Sequence, residues 1–258
     1  MPTPSPRNAL KEGGLLIGSW INSASPIVAE LMASTGFDFL AVDVEHSPVS
    51  LHDTQHIFQA IKSGNPNCTT MVRLHGVDYA HVKRFLDAGA KGLIAPLVNT
   101  REQAELFVSA CKYPPLGNRG VGFCRANKYG LELKGAIEAA NEETILAVQI
   151  EHIDGVKNID NILSVEGIDG VFLGPYDLSA SMGITSQFDH PDFIAARNEV
   201  LEACKRHGIA PGIHVVHPNP DEFLVRAREG YQIIAYSLDI TMLLDSCTKG
   251  LAQIRQEL

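Results

Sequence analysis

Eight short runs of branched and aliphatic residues recur along the chain, each followed by a longer amphipathic segment. The runs lie near 15–21, 39–44, 69–74, 92–98, 145–151, 170–175, 210–216 and 232–238. The helical segments lie near 26–35, 51–63, 79–88, 101–111, 154–163, 191–207, 220–229 and 240–257. A strand that returns through a helix pairs in parallel with the next strand, so the alternation specifies a parallel α/β fold. Eight repeats in 258 residues favour closure into a (β/α)8 TIM barrel over an open sheet. The local signals agree. Ser25-Pro26 and Asn219-Pro220 place proline just inside a helix start, and Thr100-Arg101-Glu102-Gln103 has the form of a capping box. Gly36, Gly64, Gly89, Gly208 and Gly230 close helices. No Pro/Gly/Ser-rich linker divides the chain, so residues 1–258 read as one domain, with 1–12 expected as a flexible N-terminal segment. The longest irregular stretch runs from Tyr113 to Lys128, rich in Pro and Gly. A loop of that length is expected to be ordered and functional.

The net charge of −9 argues against nucleic acid or an anionic membrane surface as partner. No stretch approaches the roughly 20 apolar residues of a membrane span. The five cysteines are scattered without CxxC spacing, as in a cytoplasmic protein with reduced thiols. An anionic substrate would need local positive charge, from an arginine or a metal ion.

In a parallel barrel the active site forms where the strands end. Two buried-looking runs end in carboxylates there: Ile145 to Ile150 in Glu151, and Gly170 to Tyr176 in Asp177. One reading makes Asp177 a helix cap and Glu151 a solvent-facing acid. The other makes them ligands of a hard divalent cation, which binds through few carboxylates and keeps waters. Gln149 shares a strand face with Glu151. Asp43 and His46 lie three apart at another strand end, where a carboxylate could orient an imidazole as general base, or merely cap a turn. Arg73 ends an apolar run, and burial demands an anionic partner: Asp43, Glu45, or a substrate oxyanion. Gly174-Pro175-Tyr176-Asp177 leads into a short helix whose free N–H groups suit a carboxylate. His214 is a candidate pocket wall; His217, three residues on, is expected on the opposite face of the strand.

These segments resemble the metal-dependent class II pyruvate aldolases typified by 4-hydroxy-2-oxoheptanedioate aldolase, within the citrate lyase β-subunit/aldolase superfamily. The matching segments are Ala41 to Pro48, Tyr113 to Gly120, Gln149 to Glu151 and Gly170 to Ser179, in order along nearly the whole chain. The resemblance implies a barrel of the phosphoenolpyruvate/pyruvate-binding type. It implies that Glu151 and Asp177 ligate a divalent ion (Mg²⁺, Mn²⁺ or Co²⁺) and that Gln149 sits beside pyruvate. Arg73 would contact the keto or enolate oxygen, and His46 with Asp43 would transfer a proton. N–H groups from Gly174 to Asp177 would hold the substrate carboxylate. Asp87 matches an acid placed near a neighbouring subunit's site. A homohexamer, or trimer of dimers, is implied, with the last helix packed on a neighbouring barrel. The implied reaction is reversible cleavage of a 4-hydroxy-2-oxo acid to pyruvate and an aldehyde through an enolate held on the ion, in aromatic or sugar acid catabolism. Decarboxylation of an oxaloacetate-type acid and a non-catalytic 2-oxo acid-binding barrel are the alternatives. Tyr176 and His214 depart from the family pattern, where a small and an apolar residue are usual, and so bear on the aldehyde. No lysine stands at a strand end to form a Schiff base.

Overall fold

The computed structural model describes residues 5–258. Its strands are β1 Leu16–Ile21, β2 Phe39–Asp43, β3 Thr69–Arg73, β4 Gly92–Ala95, β5 Ile145–Ile150, β6 Gly170–Leu173, β7 Ala210–Val215 and β8 Ile233–Leu238. They form a closed parallel barrel in sequence order, with β8 pairing back to β1. The helices are α1 Pro6–Lys11, α2 Pro26–Ser34, α3 Leu51–Gly64, α4 Tyr79–Ala88, α5 Arg101–Cys111, α6 Leu133–Glu143, α7 Ile153–Lys157, α8 Ile159–Leu163, α9 Pro175–Ser181, α10 Pro191–His207, α11 Pro220–Arg228 and α12 Asp239–Glu257. The (β/α)8 barrel is therefore the observed fold.

Two cores follow from the two-residue period of the strands. One set of alternating residues fills the barrel: Leu16 and Trp20, Phe39 and Ala41, Met71, Ile94, Ile145 and Ala147, Phe172, Ile233 and Ala235. The other set packs outward against the helices. Large and small interior residues interlock. A Cβ on Gly18 would stand 2.3 Å from the Phe39 ring, so this glycine makes the room that Phe39 occupies. The inward column matters for function. Continued to the carboxyl ends, the same parity directs Asp43, Arg73, Gln149 and His214 into the mouth of the barrel.

The opposite end is closed by α1. Ser5 caps this helix by accepting the Asn8 N–H. Arg7 is buried and donates to Asp169, just before β6, at 2.7 Å, and to the Glu142 carbonyl at 2.6 Å. Of the segment expected to be flexible, residues 1–4 lie outside the described residues, whereas 6–11 are helical and docked. The physical reason is this ion pair, which proline content does not reveal. The Tyr113–Lys128 stretch is held by Arg119, which donates to Asp87 at 2.8 Å and lies over the Tyr113 ring at 4.4 Å. A 3-10 segment, Arg125–Gly130, follows. No helix of the described residues is long and apolar enough to cross a membrane.

Candidate active site at the barrel mouth

A cavity of about 90 Å³ opens at the carboxyl ends of the strands, lined among others by Trp20, Arg73, Gln149, Gly174, Asp177 and His214. Glu151 stands beside it, buried. Its Oε1 accepts the Leu97 N–H at 2.8 Å, and its Oε2 accepts from Gln149 Nε2. Leu97 reaches this position with φ of +50°, a left-handed conformation unusual for a leucine. Burial raises the Glu151 carboxyl; the donors from Gln149 and Leu97 oppose this, and the charges of Glu45 and Asp177 add to it. Asp177, exposed in the first turn of α9, is not its N-cap; that place is held by Gly174.

Gly174 has a definite steric role. A Cβ there would lie 2.6 Å from Glu151 Cβ and 2.7 Å from its Oε2. We predict that Gly174→Ala folds but displaces the Glu151 carboxylate, costing roughly a hundredfold in any activity that uses it. Measuring turnover together with the thermal midpoint would show this as lost activity with a shift of only a few degrees.

Arg73 and Asp43 are register partners on adjacent strands. Arg73 donates Nε to Asp43 Oδ1 at 3.0 Å and Nη2 to Oδ2 at 2.7 Å. Its guanidinium also lies 4.7 Å from the Trp20 ring centroid. Burial pushes the Asp43 carboxyl up, but Arg73 and the N–H groups of His46 and Glu45 outweigh this and hold it low. The expected orientation of the His46 ring by Asp43 is not what forms. Asp43 accepts the His46 main-chain N–H at 3.3 Å, while the ring, largely exposed, lies 3.7 Å from Glu45 Oε2. Both Asp43 oxygens are already committed to the guanidinium. Glu45 is raised by burial, partly offset by Arg73 and His46, and its Oε2 has no hydrogen-bond partner among the described residues. Asp87 lies on α4, in the ion pair with Arg119, and does not line this cavity.

His214 does line it. Its Nε2 lies 3.1 Å from the Ser237 carbonyl, which can only accept, so the proton sits on Nε2. Burial pushes its pKa down to about 4. A neutral buried imidazole makes stability depend on pH in a fixed sense. The unfolded chain takes up the proton near the ordinary value and the folded chain only near 4. The contribution is therefore complete above about pH 6.5 and lost as pH falls towards 4, by at most about 3 kcal/mol. Comparing urea unfolding at pH 7 and 4.5 for the native chain and His214→Leu should show a smaller acid loss in the variant.

Sequence reasoning missed Trp20 and the Leu97 N–H. Trp20 was readable as the one tryptophan, set at the end of a strand; Leu97 depends on a backbone conformation that leaves no sequence signal.

A closed (β/α)8 barrel whose mouth combines buried carboxylate oxygens with a paired arginine is an enzyme-like scaffold, suited to a small molecule. Comparison with known proteins agrees. Residues 16–246 match the HpcH/HpaI aldolase/citrate lyase family model. A hydroxypyruvate/pyruvate aldolase from Roseobacter denitrificans is 37% identical over 252 residues, covering 95% of this chain and 96% of its own. A 2-keto-3-deoxy-L-rhamnonate aldolase from Salmonella gallinarum is 40% identical over 220 residues, covering 82% and 79%. The crystal structure of an HpcH/HpaI aldolase/citrate lyase family protein from Burkholderia cenocepacia superposes with a TM-score of 0.91 at 32% identity, covering 96% of this chain and 98% of that one. The chain belongs to the HpcH/HpaI aldolase/citrate lyase family, whose named members here are carbon–carbon lyases of 2-oxo acids.

Proposed function

We propose that the protein is a divalent-metal-dependent aldolase that reversibly cleaves a 4-hydroxy-2-oxo acid to pyruvate and an aldehyde. The observation that carries this reading is the buried Glu151 carboxylate, fixed beside Asp177 and facing the same mouth as Arg73. Among the described residues no three His, Cys, Asp or Glu side chains gather to hold a metal. Two carboxylates nonetheless fit a hard cation that retains waters. Glu151 is raised by burial, with the charges of Glu45 and Asp177 adding, and a dication would relieve that repulsion. Glu151 and Asp177 would hold Mg²⁺, Mn²⁺ or Co²⁺, which would supply Lewis-acid charge to a 2-oxo acid.

The remaining steps belong to the protein. Arg73 uses Nε and Nη2 on Asp43, which leaves Nη1 to meet the oxygen that becomes negative. Gln149 Oε1 is buried without a partner among the described residues and can accept from a bound molecule or water. The first turn of α9 leaves the Tyr176 and Asp177 N–H groups without helical acceptors, in position for the substrate carboxylate. His46, beside Glu45, takes the proton of the 4-hydroxyl. The oxygen pair then forms the aldehyde carbonyl and the C3–C4 bond breaks. Its electrons stay on C3 as the enolate, which is later protonated to pyruvate.

Two further features support the wider reading. Leu243, Leu244, Leu251 and Ile254 of α12 are exposed, as expected of a helix covered by another copy in a homo-oligomer. All five cysteines are free thiols, in keeping with a reducing cytoplasm.

The test is exchange of the pyruvate methyl protons in D₂O, followed by NMR. Exchange that requires Mg²⁺ or Mn²⁺ and stops with chelator is the expected result. No exchange with any of these ions would remove the pyruvate assignment.

A further inference from the structure

Helix α3 opens with Leu51-His52-Asp53-Thr54-Gln55-His56. Residues four apart lie one above the other on a helix. The two imidazoles accordingly meet edge to face, with ring centroids 4.3 Å apart. Both residues are exposed. Neither lines the cavity at the barrel mouth, so the aldolase reading makes no use of them.

We propose that His52 and His56 form a second metal site, for a borderline divalent ion such as Cu²⁺, Ni²⁺ or Zn²⁺, separate from the oxygen ligands Glu151 and Asp177. The inference goes beyond the aldolase reading and does not depend on it.

Three observations carry it. The first is spacing. Histidines at i and i+4 on one helix face are the arrangement through which zinc-binding helices offer two imidazoles to one ion. Two protein ligands completed by waters also agree with the lack of any three-residue cluster among the described residues. The second is availability. Neither ring has a hydrogen-bond or ion-pair partner among the described residues. Other histidines are engaged: His46 lies against Glu45, His207 bonds Asp160, and His152 and His190 accept main-chain N–H groups through Nδ1. His214 and His217 do face one cavity, since β7 ends at Val215 and strand alternation no longer separates them, but His214 is bonded to the Ser237 carbonyl. An unpartnered neutral imidazole keeps a lone pair for a metal, and two exposed rings need only side-chain rotation to share one ion. The third is charge. Asp53, between the two histidines, accepts the Ser50 N–H at 3.0 Å and the Ser50 hydroxyl at 2.6 Å, in the capping box that fixes this turn. Those bonds hold its carboxyl low, with smaller contributions from His52 and His56, so a fixed negative charge stands beside both rings. It offsets the positive end of the helix dipole, which opposes a cation. The other close pair, His75 and His81 at 4.1 Å, makes a poorer site. His81 is drawn to Asp78, and Arg84 lines the same hollow, where its guanidinium repels a cation. Imidazole ligands bind Cu²⁺ more tightly than Ni²⁺ or Zn²⁺, and leave Mg²⁺ to oxygen.

The experiment titrates Ni²⁺ into the untagged chain by calorimetry, in excess Mg²⁺, and records the electron paramagnetic resonance spectrum of the Cu²⁺-loaded protein. A Ni²⁺-binding step should appear in the native chain and weaken at least tenfold in His52→Gln and in His56→Gln. Glutamine suits a helix about as well as histidine, and both positions are exposed, so these variants keep the fold. His75→Gln should bind Ni²⁺ as the native chain does. The Cu²⁺ spectrum should show splitting by two nitrogens in the native chain and by one in either α3 variant. Absence of Ni²⁺ binding, or equal affinity in the native chain and both α3 variants, overturns the proposal. So does an equal loss in His75→Gln. A native Cu²⁺ spectrum without nitrogen splitting overturns it whatever the variants do.

Discussion

Glu151→Gln is expected to abolish pyruvate proton exchange, by roughly a thousandfold or more, while the barrel stays folded. The substitution keeps shape and removes charge. The new amide oxygen can still accept the Leu97 N–H that now reaches Glu151 Oε1. Its NH₂ would then face Gln149, whose amide currently donates to Glu151. Gln149 Oε1 is without a partner, so turning that amide over restores a donor–acceptor pair. Stability should therefore change by no more than about 1 kcal/mol. Removing a buried acid that lies beside Asp177 and Glu45 also removes repulsion, which works in the same direction. NMR exchange rates and urea unfolding on the same samples test both halves. A variant that retained a tenth of the native exchange would exclude Glu151 as an essential ligand.

Arg73→Met should cost about 3 kcal/mol of stability, or roughly 10 °C in thermal midpoint, besides ending exchange. Asp43 is almost wholly buried, and its two oxygens rest on Arg73. Without the guanidinium its charge keeps only Asn22 Nδ2 at 3.0 Å and two main-chain N–H groups. The sign of the pH dependence follows. Asp43 is held below the usual carboxylate range, so its pairing stabilises the fold above about pH 4, and that contribution is lost as pH falls through the folded value. The difference between native chain and variant should be largest near neutrality and shrink in acid. Arg73→Met combined with Asp43→Asn should recover much of the stability and none of the exchange. Equal midpoints for the single and double variants would show that the buried charge is not what the arginine serves.

The Arg73–Asp43 pair also shows where sequence reading stops. Strands were legible because apolar runs and helix caps repeat, and most observed ends fall within two residues of the expected ones. β4 is the exception: pairing stops at Ala95, because Pro96 lacks a donor and Leu97 turns left-handed. Helix α6 escaped detection for a physical reason. It buries no residue fully and has no side-chain cap, so nothing in the sequence marks where it starts. Seven-residue α9 was expected as a short helix following the Gly174–Asp177 turn, and it begins inside that turn, at Pro175. Within the site, strand ends nominated Asp43, Arg73, Gln149, Glu151, Asp177 and His214; Arg73, Gln149, Asp177 and His214 line the cavity, and Asp43 and Glu151 are bonded to residues that do. Their pairing was legible only as alternatives: Asp43 was one of the partners offered for Arg73, and the sequence did not select it. Asp43 and His46 are close in sequence, but Asp43 and Arg73 are opposite each other in register, and register is a property of two strands that one strand's sequence does not state.

The closing pair of strands has a consequence for how such a chain is made. β1 is bonded to β2 on one side and to β8 on the other. During synthesis β1 leaves the ribosome first and its second neighbour last. Until Ile233–Leu238 arrives, a nascent sheet of seven strands carries two raw edges, at β1 and β7, each able to pair with another chain. The clasp from Arg7 to Asp169 spans 162 residues, so it waits for most of the chain as well. The first strand of the barrel, and the helix before it, are thus among the last elements to find all their partners.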